Sequence, residues 1–216
     1  MRYKSFYNQH LKRALGLVLA TILLLVLWPF YFIVALAVAI DDGLPVFYRP
    51  QRGGYKNKPF RIFKFRTMVK NADKIGGGTT ALNDPRITKV GNFLRKTKLD
   101  EIPQLFNIIA GDMSFIGPRP ELLRYVEKYE GEEMLIMEVR PGITDFSSVE
   151  FINLDEVVGA ENADEAYEKY VLKKKNQLRI RYAHEVSFAT DCKLFFSTVF
   201  SVFRKAGGFI FLNRHK

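Results

Sequence analysis

An uncharged stretch of 27 residues runs from Ala14 to Ile40, ALGLVLATILLLVLWPFYFIVALAVAI. As an α-helix it is about 40 Å long, whereas the hydrocarbon core of a bilayer is about 30 Å thick. A secretory signal peptide is the alternative, but its apolar part is shorter than this stretch, and no small-residue cleavage site precedes Asp41. The stretch therefore predicts a membrane anchor near the N-terminus.

Basic residues flank this stretch on both sides. Four Lys and Arg lie within residues 2–13, and residues 43–72 carry eight more and no acidic residue. Since Lys and Arg favour the cytoplasmic side of a membrane, both flanks are expected on that side. Pro29, near the middle, removes a backbone hydrogen bond and kinks or breaks the helix. These features favour a re-entrant helix hairpin, which enters and leaves by the same face; an ordinary kinked span is the alternative.

The rest of the chain has the composition of one folded domain. The 216 residues carry 33 Lys and Arg against 23 Asp and Glu, a net charge of +10, and 48% of them are hydrophobic. This composition excludes a disordered, collagen-like or disulfide-rich protein. The lone cysteine, Cys192, indicates a reducing compartment, and the three histidines lack the spacing of zinc ligands, so any metal is expected to have oxygen ligands. We divide the chain into a basic membrane anchor, residues 1–42, and a cytoplasmic domain, residues 43–216.

Short apolar patterns predict a mostly helical domain of the α+β class. Residues 60–65, FRIFKF, are typical of a β-strand, and the glycine run at 76–78 is expected to be mobile. Apolar side chains at helical spacing indicate helices within 90–94 and 99–109. Residues 188–203 are rich in phenylalanine and predict an amphipathic helix, either at the membrane interface or packed on the domain core.

The sharpest chemical feature is a carboxylate pair, Asp100 and Glu101, within TKLDEIPQLFN. The chain has no P-loop, dinucleotide-binding, serine-hydrolase or zinc-protease motif. Because proline is tolerated in the first turn of a helix, Pro103 places the pair at a helix N-terminus, capped by Thr97 or by Asp100 itself. A helix N-terminus stabilises anions, and the nearby Arg86, Arg95, Lys96 and Lys98 add to that field. The pair therefore predicts phosphate chemistry; helix capping alone is the alternative.

Three longer motifs carry a family resemblance. They are KPFRIFKFRTM at residues 58–68, DPRITKVGNFLRKTKLDEIPQLFNIIAGDMSFIGPRPE at 84–121, and RPGIT at 140–144. In this order, behind a basic-flanked apolar stretch, they resemble the bacterial sugar transferase family of monotopic phosphoglycosyl transferases. The resemblance implies transfer of a phosphosugar from a UDP-sugar to polyprenol (undecaprenyl) phosphate with release of UMP, at the cytoplasmic face of the bacterial inner membrane. It also implies Mg²⁺ as the cofactor and a place at the start of glycan assembly.

The resemblance implies roles for the carboxylate pair as well. Asp100 matches the nucleophilic aspartate of the family, which takes the phosphosugar covalently and also contacts the Mg²⁺. Glu101 matches its partner glutamate, in an acid–base or positioning role. The chemistry is coherent, because carboxylate attack on phosphorus divides one transfer between two bulky substrates into two smaller steps. A direct, one-step transfer is the alternative within the same enzyme class.

Five further residues match substrate-binding positions of the family. Pro118, Arg119 and Pro120 match the segment that recognises the nucleotide, where the two prolines hold the arginine in place. Lys64 and Arg95 match basic residues near the active site and are candidates for phosphate contacts. As exposed surface charges, the last two need no such role.

Two departures from the family pattern affect the prediction, and one other class of function is compatible with the charge. Trp28 stands where the family often has serine before Pro29, so the helix bend is held differently. Residues 145–148, DFSS, replace a Gly-Trp-Ala-Gln type sequence, and we expect sugar specificity to be determined between there and residue 160.

The net charge of +10 also fits a membrane-tethered protein that binds anionic lipid or nucleic acid, but no RNA- or DNA-binding motif is present. Lipid, and no nucleic acid, is therefore the expected partner.

Overall fold

The computed structural model describes residues 2–72, 84–151 and 163–212, and this part of the chain is mostly helical, as predicted. The α-helices are α1 (Lys12–Asp42), α2 (Lys89–Thr97), α3 (Gln104–Ala110), α4 (Leu123–Val126), α5 (Phe146–Glu150), α6 (Ala163–Ala166), α7 (Lys173–Glu185) and α8 (Phe188–Leu212). Short 3-10 or π-helical turns are Arg2–Lys4, Tyr7–Leu11, Tyr55–Asn57, Leu99–Glu101, Gly131–Glu138 and Tyr167–Leu172. The glycine run at 76–78 and the segment 152–160 lie outside the described residues.

Short strands pair two by two. They are β1 (Phe47–Tyr48), β2 (Gln51–Arg52), β3 (Phe60–Arg61), β4 (Lys64–Phe65), β5 (Ser114–Ile116) and β6 (Gly142–Thr144). β1 pairs with β4 and β2 with β3, both antiparallel, so the strand predicted at FRIFKF is confirmed as two short strands; β5 and β6 are parallel. Asn107 of α3 holds the chain between β3 and β4, because its side chain accepts from the N–H of Phe63 and donates to the carbonyl of Arg61, both at 2.8 Å.

The uncharged stretch forms one continuous helix, α1, with Pro29 inside it. The residues on both sides of Trp28–Pro29 belong to this one helix, so the helix is not divided there, although proline removes a hydrogen bond and crowds the preceding turn. Together with the preceding π-helical turn, α1 spans Tyr7–Asp42 and is long and apolar enough to cross a membrane. The re-entrant hairpin stays a prediction.

One face of α1 packs on the domain along the length of the helix. Leu24, Phe30 and Ala35 pack at the edges of this face, and its central positions are Gly16, Ala20, Leu23, Leu27, Tyr31, Val34 and Val38. Their spacing of three or four residues is that of a single helix face. Large apolar side chains elsewhere on α1, among them Leu25, Trp28 and Phe32, are exposed. The helix therefore presents an apolar surface directed away from the domain.

Polar contacts attach both ends of α1 to the domain. Near its start, Lys12 forms an ion pair with Asp191 of α8 at 2.9 Å. Near its end, Asp41 accepts a hydrogen bond from the N–H of Val90, at the start of α2, at 2.9 Å. The domain thus lies alongside α1 and not beyond one end of it.

The carboxylate pair does not open a helix, and this prediction is wrong. Leu99–Glu101 is a separate 3-10 turn, and α3 starts only after Pro103, where no side chain caps the helix. Thr97 belongs to the end of α2, where its hydroxyl donates to the carbonyl of Phe93 at 2.8 Å. The reason is Lys98, whose left-handed backbone (φ 60°) turns the chain from α2 directly into the 3-10 turn. No extended residue is left there to act as an N-cap.

Helix α8 packs on the domain core by one face, as one of the two alternatives for residues 188–203 predicted, and its place at a membrane interface stays a prediction. Leu194 is buried in the domain core, and the hydroxyl of Thr198 is 2.8 Å from that of Thr144 in β6. Phe196 and Phe200, in contrast, are 67% and 69% exposed. One face of α8 therefore packs on the domain, while the other presents aromatic rings to the surroundings.

Candidate active site

A cavity of about 500 Å³ lies between α1, the turn that carries the carboxylate pair, and helices α5, α7 and α8. Its charged lining residues are Arg52, Lys64, Arg95, Lys98, Asp100, Glu101, Arg119, Glu121, Lys175 and Arg179. Its apolar lining includes Leu23 and Leu27 of α1, Ile62, Leu105, and Val202 of α8. Seven cations against three carboxylates favour an anionic ligand, and the apolar residues place this ligand beside the two helices with apolar outer faces.

The structure brings six of the predicted site residues to this cavity, namely Lys64, Arg95, Asp100, Glu101, Arg119 and Pro120. Pro118 is not part of the lining; its carbonyl accepts from the N–H of Gly142 at 3.1 Å. This bond continues the pairing of β5 with β6 and fixes the backbone just before Arg119. Arg86, one of the basic residues expected near the pair, forms an ion pair with Asp84 at 2.6 Å and does not line the cavity.

Glu101 anchors two of the cations. Its carboxylate accepts from both Nη atoms of Arg119, one of them at 2.9 Å, and from Nζ of Lys64 at 2.9 Å. Burial by itself raises the pKa of Glu101, but Arg119 and Lys64 outweigh burial and hold the pKa well below its usual range. Glu101 is therefore an ionised carboxylate at neutral pH. Of its two predicted roles, this geometry favours positioning over acid–base chemistry.

Asp100, one residue earlier, has the opposite environment. It is 6% exposed, and its buried Oδ1 has no hydrogen-bond partner among the described residues. Burial raises the pKa of Asp100, against the attraction of Lys64. A buried carboxylate oxygen without a partner, on the wall of a cavity, is available to a bound cation or to an electrophile.

Arg119 is held by its backbone as well as by its guanidinium. Its N–H donates to Oδ2 of Asp145 at 3.2 Å, and its Nη1 donates to the carbonyl of Ile143 at 2.9 Å. Asp145 is fully buried and caps α5, because its Oδ1 accepts from the N–H of Ser148 at 2.7 Å. The departure from the family pattern at residues 145–148 thus supplies both a helix cap and a support for Arg119.

Helix α7 supplies charged residues that were not singled out from the sequence. Arg179 is 1% exposed and donates to Oε2 of Glu121 at 3.0 Å. The same oxygen accepts from the hydroxyl of Tyr167 at 2.5 Å. Lys175, one turn before Arg179, is 7% exposed and lines the same cavity.

The local sequence around these residues, KKKNQLRIR, is typical of a solvated helix face. One signal for their burial is present in the spacing. Residues 175 and 179 continue the helix face that holds Val171 and Tyr182, which are both buried. A charged residue in register with a buried apolar face is a candidate for a buried ion pair or a ligand contact.

The donor set for the Mg²⁺ that the resemblance implies is small. No group of three or more His, Cys, Asp and Glu side chains that could hold a metal occurs in the described ranges of the chain. Mg²⁺ is commonly bound through one or two carboxylates together with substrate phosphates and water. The unpartnered Oδ1 of Asp100, in a cavity with room for a phosphate, fits an ion of this kind.

The cavity is a candidate site for a phosphorylated ligand beside apolar helices. It combines an ionised carboxylate that aligns two cations, a second carboxylate whose buried oxygen has no partner, and a surplus of positive charge. Residues 7–205 match the bacterial sugar transferase family. The chain belongs to this family, and the resemblance found in the sequence motifs is confirmed.

Three relatives show the range of the similarity. The chain is 41% identical over 204 residues to the UDP-glucose:undecaprenyl-phosphate glucose-1-phosphate transferase of Escherichia coli (strain K12), with 92% of this chain and 41% of the relative covered. It is 37% identical over 142 residues to the UDP-N-acetylgalactosamine-undecaprenyl-phosphate N-acetylgalactosaminephosphotransferase of Aeromonas hydrophila, with 64% and 34% covered. It is 34% identical over 197 residues to the uncharacterized sugar transferase EpsL of Bacillus subtilis (strain 168), with 91% and 89% covered. The chain thus spans less than half the length of the first two relatives and most of the third.

Proposed function

We propose that this protein transfers a phosphosugar from a UDP-sugar to undecaprenyl phosphate or a similar polyprenol phosphate and releases UMP. The observation that carries the proposal is the unpartnered carboxylate oxygen of Asp100 on the wall of a cation-rich cavity beside α1. Relatives named for UDP-sugars and undecaprenyl phosphate support this choice of substrates. Their named sugars differ, so the donor sugar of this protein has to be measured. The product is a lipid-linked sugar on which a glycan is assembled.

In the proposed mechanism Asp100 is the nucleophile. Its carboxylate oxygen attacks the phosphorus that bears the sugar, the bond from that phosphorus to the bridging oxygen breaks, and UMP leaves with the bonding electrons. The protein then carries an aspartyl phosphosugar. In the second step a phosphate oxygen of the polyprenol phosphate attacks the same phosphorus, and the carboxylate of Asp100 is released.

The cations of the site stabilise the charge on the transferring group. Arg119 and Lys64 are already aligned by Glu101, so little reorganisation is needed when the substrate binds. Asp100 attacks as a carboxylate, and Lys64 favours this ionised form against the effect of burial. We propose that Asp100 also holds Mg²⁺ together with the substrate phosphates; when bound there, the ion supplies Lewis-acid stabilisation.

We further propose that α1 lies in the bacterial inner membrane as a re-entrant, monotopic anchor, with the domain of residues 43–216 on the cytoplasmic face. The contacts of Lys12 and Asp41 support this placement, because they attach both ends of the helix to one domain. The exposed phenylalanines of α8 suit the membrane interface, and the basic surface suits anionic lipid. Leu23 and Leu27 then bring the cavity next to the bilayer, where a lipid-linked acceptor resides.

A panel of UDP-sugars tests the proposed function. Full-length protein in lipid nanodiscs should release UMP catalytically from at least one UDP-sugar when polyprenol phosphate and Mg²⁺ are both present. Removal of Mg²⁺ with EDTA should abolish turnover, and readdition should restore it. Absence of UMP release with every UDP-sugar of the panel contradicts the proposal.

Introduced cysteines test the topology. In a Cys192→Ser background, Lys4→Cys and Lys58→Cys each place a thiol at an exposed position on one flank of α1. Both should be protected from a membrane-impermeant thiol reagent added to intact cells, since a re-entrant helix keeps both flanks in the cytoplasm. Permeabilised cells, in which both sites should react, are the control. Labelling of one site and not the other in intact cells means that α1 spans the membrane.

A further inference from the structure

Lys175 lies on the wall of the cavity with its side chain largely shielded from solvent. It is 7% exposed, and its Nζ is 4.9 Å from the ring centroid of Tyr167 and 5.7 Å from that of Phe151. Within residues 2–72, 84–151 and 163–212, it forms no ion pair with a carboxylate. The neighbouring carboxylate of Glu121 is already engaged by Arg179 and by Tyr167. A buried charge without a counter-ion is unfavourable, so a bound anion would stabilise the ammonium of Lys175.

The charged side chains around Lys175 do not provide it with a free counter-ion. The groups that act on it are Arg179 on its own helix, Glu121 and Arg119 near the start of α4, and Asp145 before α5. Burial first, and then the charge of Arg179, lower the pKa of Lys175 to about 7. Glu121 already accepts from the guanidinium of Arg179, and Asp145 accepts from the backbone N–H of Arg119 and from the hydroxyls of Ser147 and Ser148, so both carboxylates are engaged by other groups.

The cations of the cavity form a series that starts at the nucleophile. Lys64 and Arg119 both donate to Glu101, the neighbour of Asp100. The backbone N–H of Arg119 donates to Asp145, whose Oδ2 is 4.0 Å from Nε of Arg179, one turn after Lys175 on α7. Arg119 thus connects the end of the cavity that holds Asp100 with the end that holds Lys175. A nucleoside diphosphate sugar has two phosphates in line. A donor with its sugar-bearing phosphate at Asp100 would have its other phosphate in the part of the cavity beyond Arg119.

We propose that Lys175 binds the phosphate that remains with the nucleoside and leaves as UMP after the attack by Asp100. The inference rests on the proposed function and adds a substrate-binding residue to it. When the bridging bond breaks, the departing phosphate gains negative charge. The ammonium of Lys175 donates a charge-assisted hydrogen bond to it, which favours donor binding and bond cleavage.

Equilibrium binding of UMP and of uridine to the full-length protein in nanodiscs tests this role. Lys175→Met keeps the length and apolar stem of the side chain but removes its charge, so UMP should bind roughly 10- to 100-fold more weakly. Uridine lacks the phosphate and should bind as it does to the wild type. Lys175→Arg should recover most of the affinity for UMP. Lys173→Met removes the same charge from an exposed position of the same helix and should change neither affinity.

The pH dependence is a second measurement. Protonated Lys175 is the form that binds phosphate, and its pKa in the free protein is about 7. The wild-type kcat/KM for the UDP-sugar should therefore decline as the pH rises through this value. In Lys175→Arg the charge persists at all these pH values, so that decline should disappear.

Several outcomes overturn the inference while leaving the proposed function intact. The first is that Lys175→Met binds UMP with the same affinity as the wild type. The second is that Lys175→Met loses affinity for UMP and for uridine equally, which indicates a collapsed pocket. Unchanged UMP binding with impaired transfer to polyprenol phosphate assigns Lys175 to the acceptor phosphate instead. A wild-type protein that neither binds UMP nor releases it from any UDP-sugar contradicts the proposed function itself.

Discussion

Asp100→Asn should abolish both the release of UMP and the gain of a phosphosugar by the protein. The amide has nearly the shape of the carboxylate but is a poor nucleophile, so kcat should fall by more than about 1,000-fold. Without polyprenol phosphate, wild-type protein mixed with its UDP-sugar and Mg²⁺ should release a burst of at most about one equivalent of UMP. Its mass should rise by one phosphosugar, and the variant should show neither change.

A matched substitution separates this result from general damage. Asp164→Asn makes the same chemical change outside the cavity lining, in a side chain that pairs with the half-exposed Arg124 at 2.8 Å. It should keep the wild-type burst, adduct and turnover, since exposed ion pairs contribute little. If the wild type turns over with polyprenol phosphate yet shows neither burst nor adduct without it, the transfer is direct. Asp100 is then a metal ligand only.

Glu101→Gln should lower kcat by roughly 100- to 1,000-fold, the range seen when one preorganised electrostatic contact is lost from an active site. The neutral amide no longer attracts Arg119 and Lys64 as a charge, so both cations lose their common anchor. If positioning is the role of Glu101, kcat should fall without a change in the shape of its pH profile near neutrality, because the pKa of Glu101 is held well below its usual range. A profile that loses one limb in the variant assigns acid–base catalysis to Glu101 and contradicts positioning.

Folding of the Glu101→Gln variant needs its own measurement. Removal of one partner from a buried ion pair destabilises a protein by about 3–5 kcal/mol, so thermal unfolding should be recorded and activity measured well below the transition. Glu150→Gln is the matched control. Glu150 pairs with Lys174 at 2.5 Å, its side chain is 42% exposed, and it is not part of the cavity lining. This control should retain wild-type activity and stability.

Two parts of the fold follow directly from the order of the residues. The absence of charge between Ala14 and Ile40 predicts a helical membrane segment, because a helix satisfies its own backbone in an apolar environment, and α1 has these limits to within two residues. The sequence did not show that the helix continues through Pro29. The alternating pattern at residues 60–65 predicts strands, and β3 and β4 lie there. In both segments the signal is local, since it depends on residues only a few positions apart in the chain.

A single backbone conformation and long-range packing account for what the predictions missed. The left-handed backbone of Lys98 ends α2 and leads the chain into a separate 3-10 turn. The carboxylate pair is therefore buried in that turn and does not cap a helix. Lys175 and Arg179 lie in a stretch whose composition indicates solvent. They are buried because α7 packs against the segment that carries Glu121, 58 residues from Arg179 in the chain.

The carboxylate pair shows where the sequence suffices and where it does not. Adjacent Asp100 and Glu101 in the family's motif identify the candidate catalytic residues, because the chemical groups and their order are written in the chain. The sequence does not show that the two carboxylates differ in their hydrogen-bond partners, since the residues are neighbours with the same functional group. Folding brings Lys64, 37 residues away, and Arg119, 18 residues away, into hydrogen bonds with Glu101, while Oδ1 of Asp100 is buried without a partner. Which carboxylate holds the cations and which is free to react is therefore a property of tertiary packing, because a charge in a protein is stabilised by the groups that surround it in space.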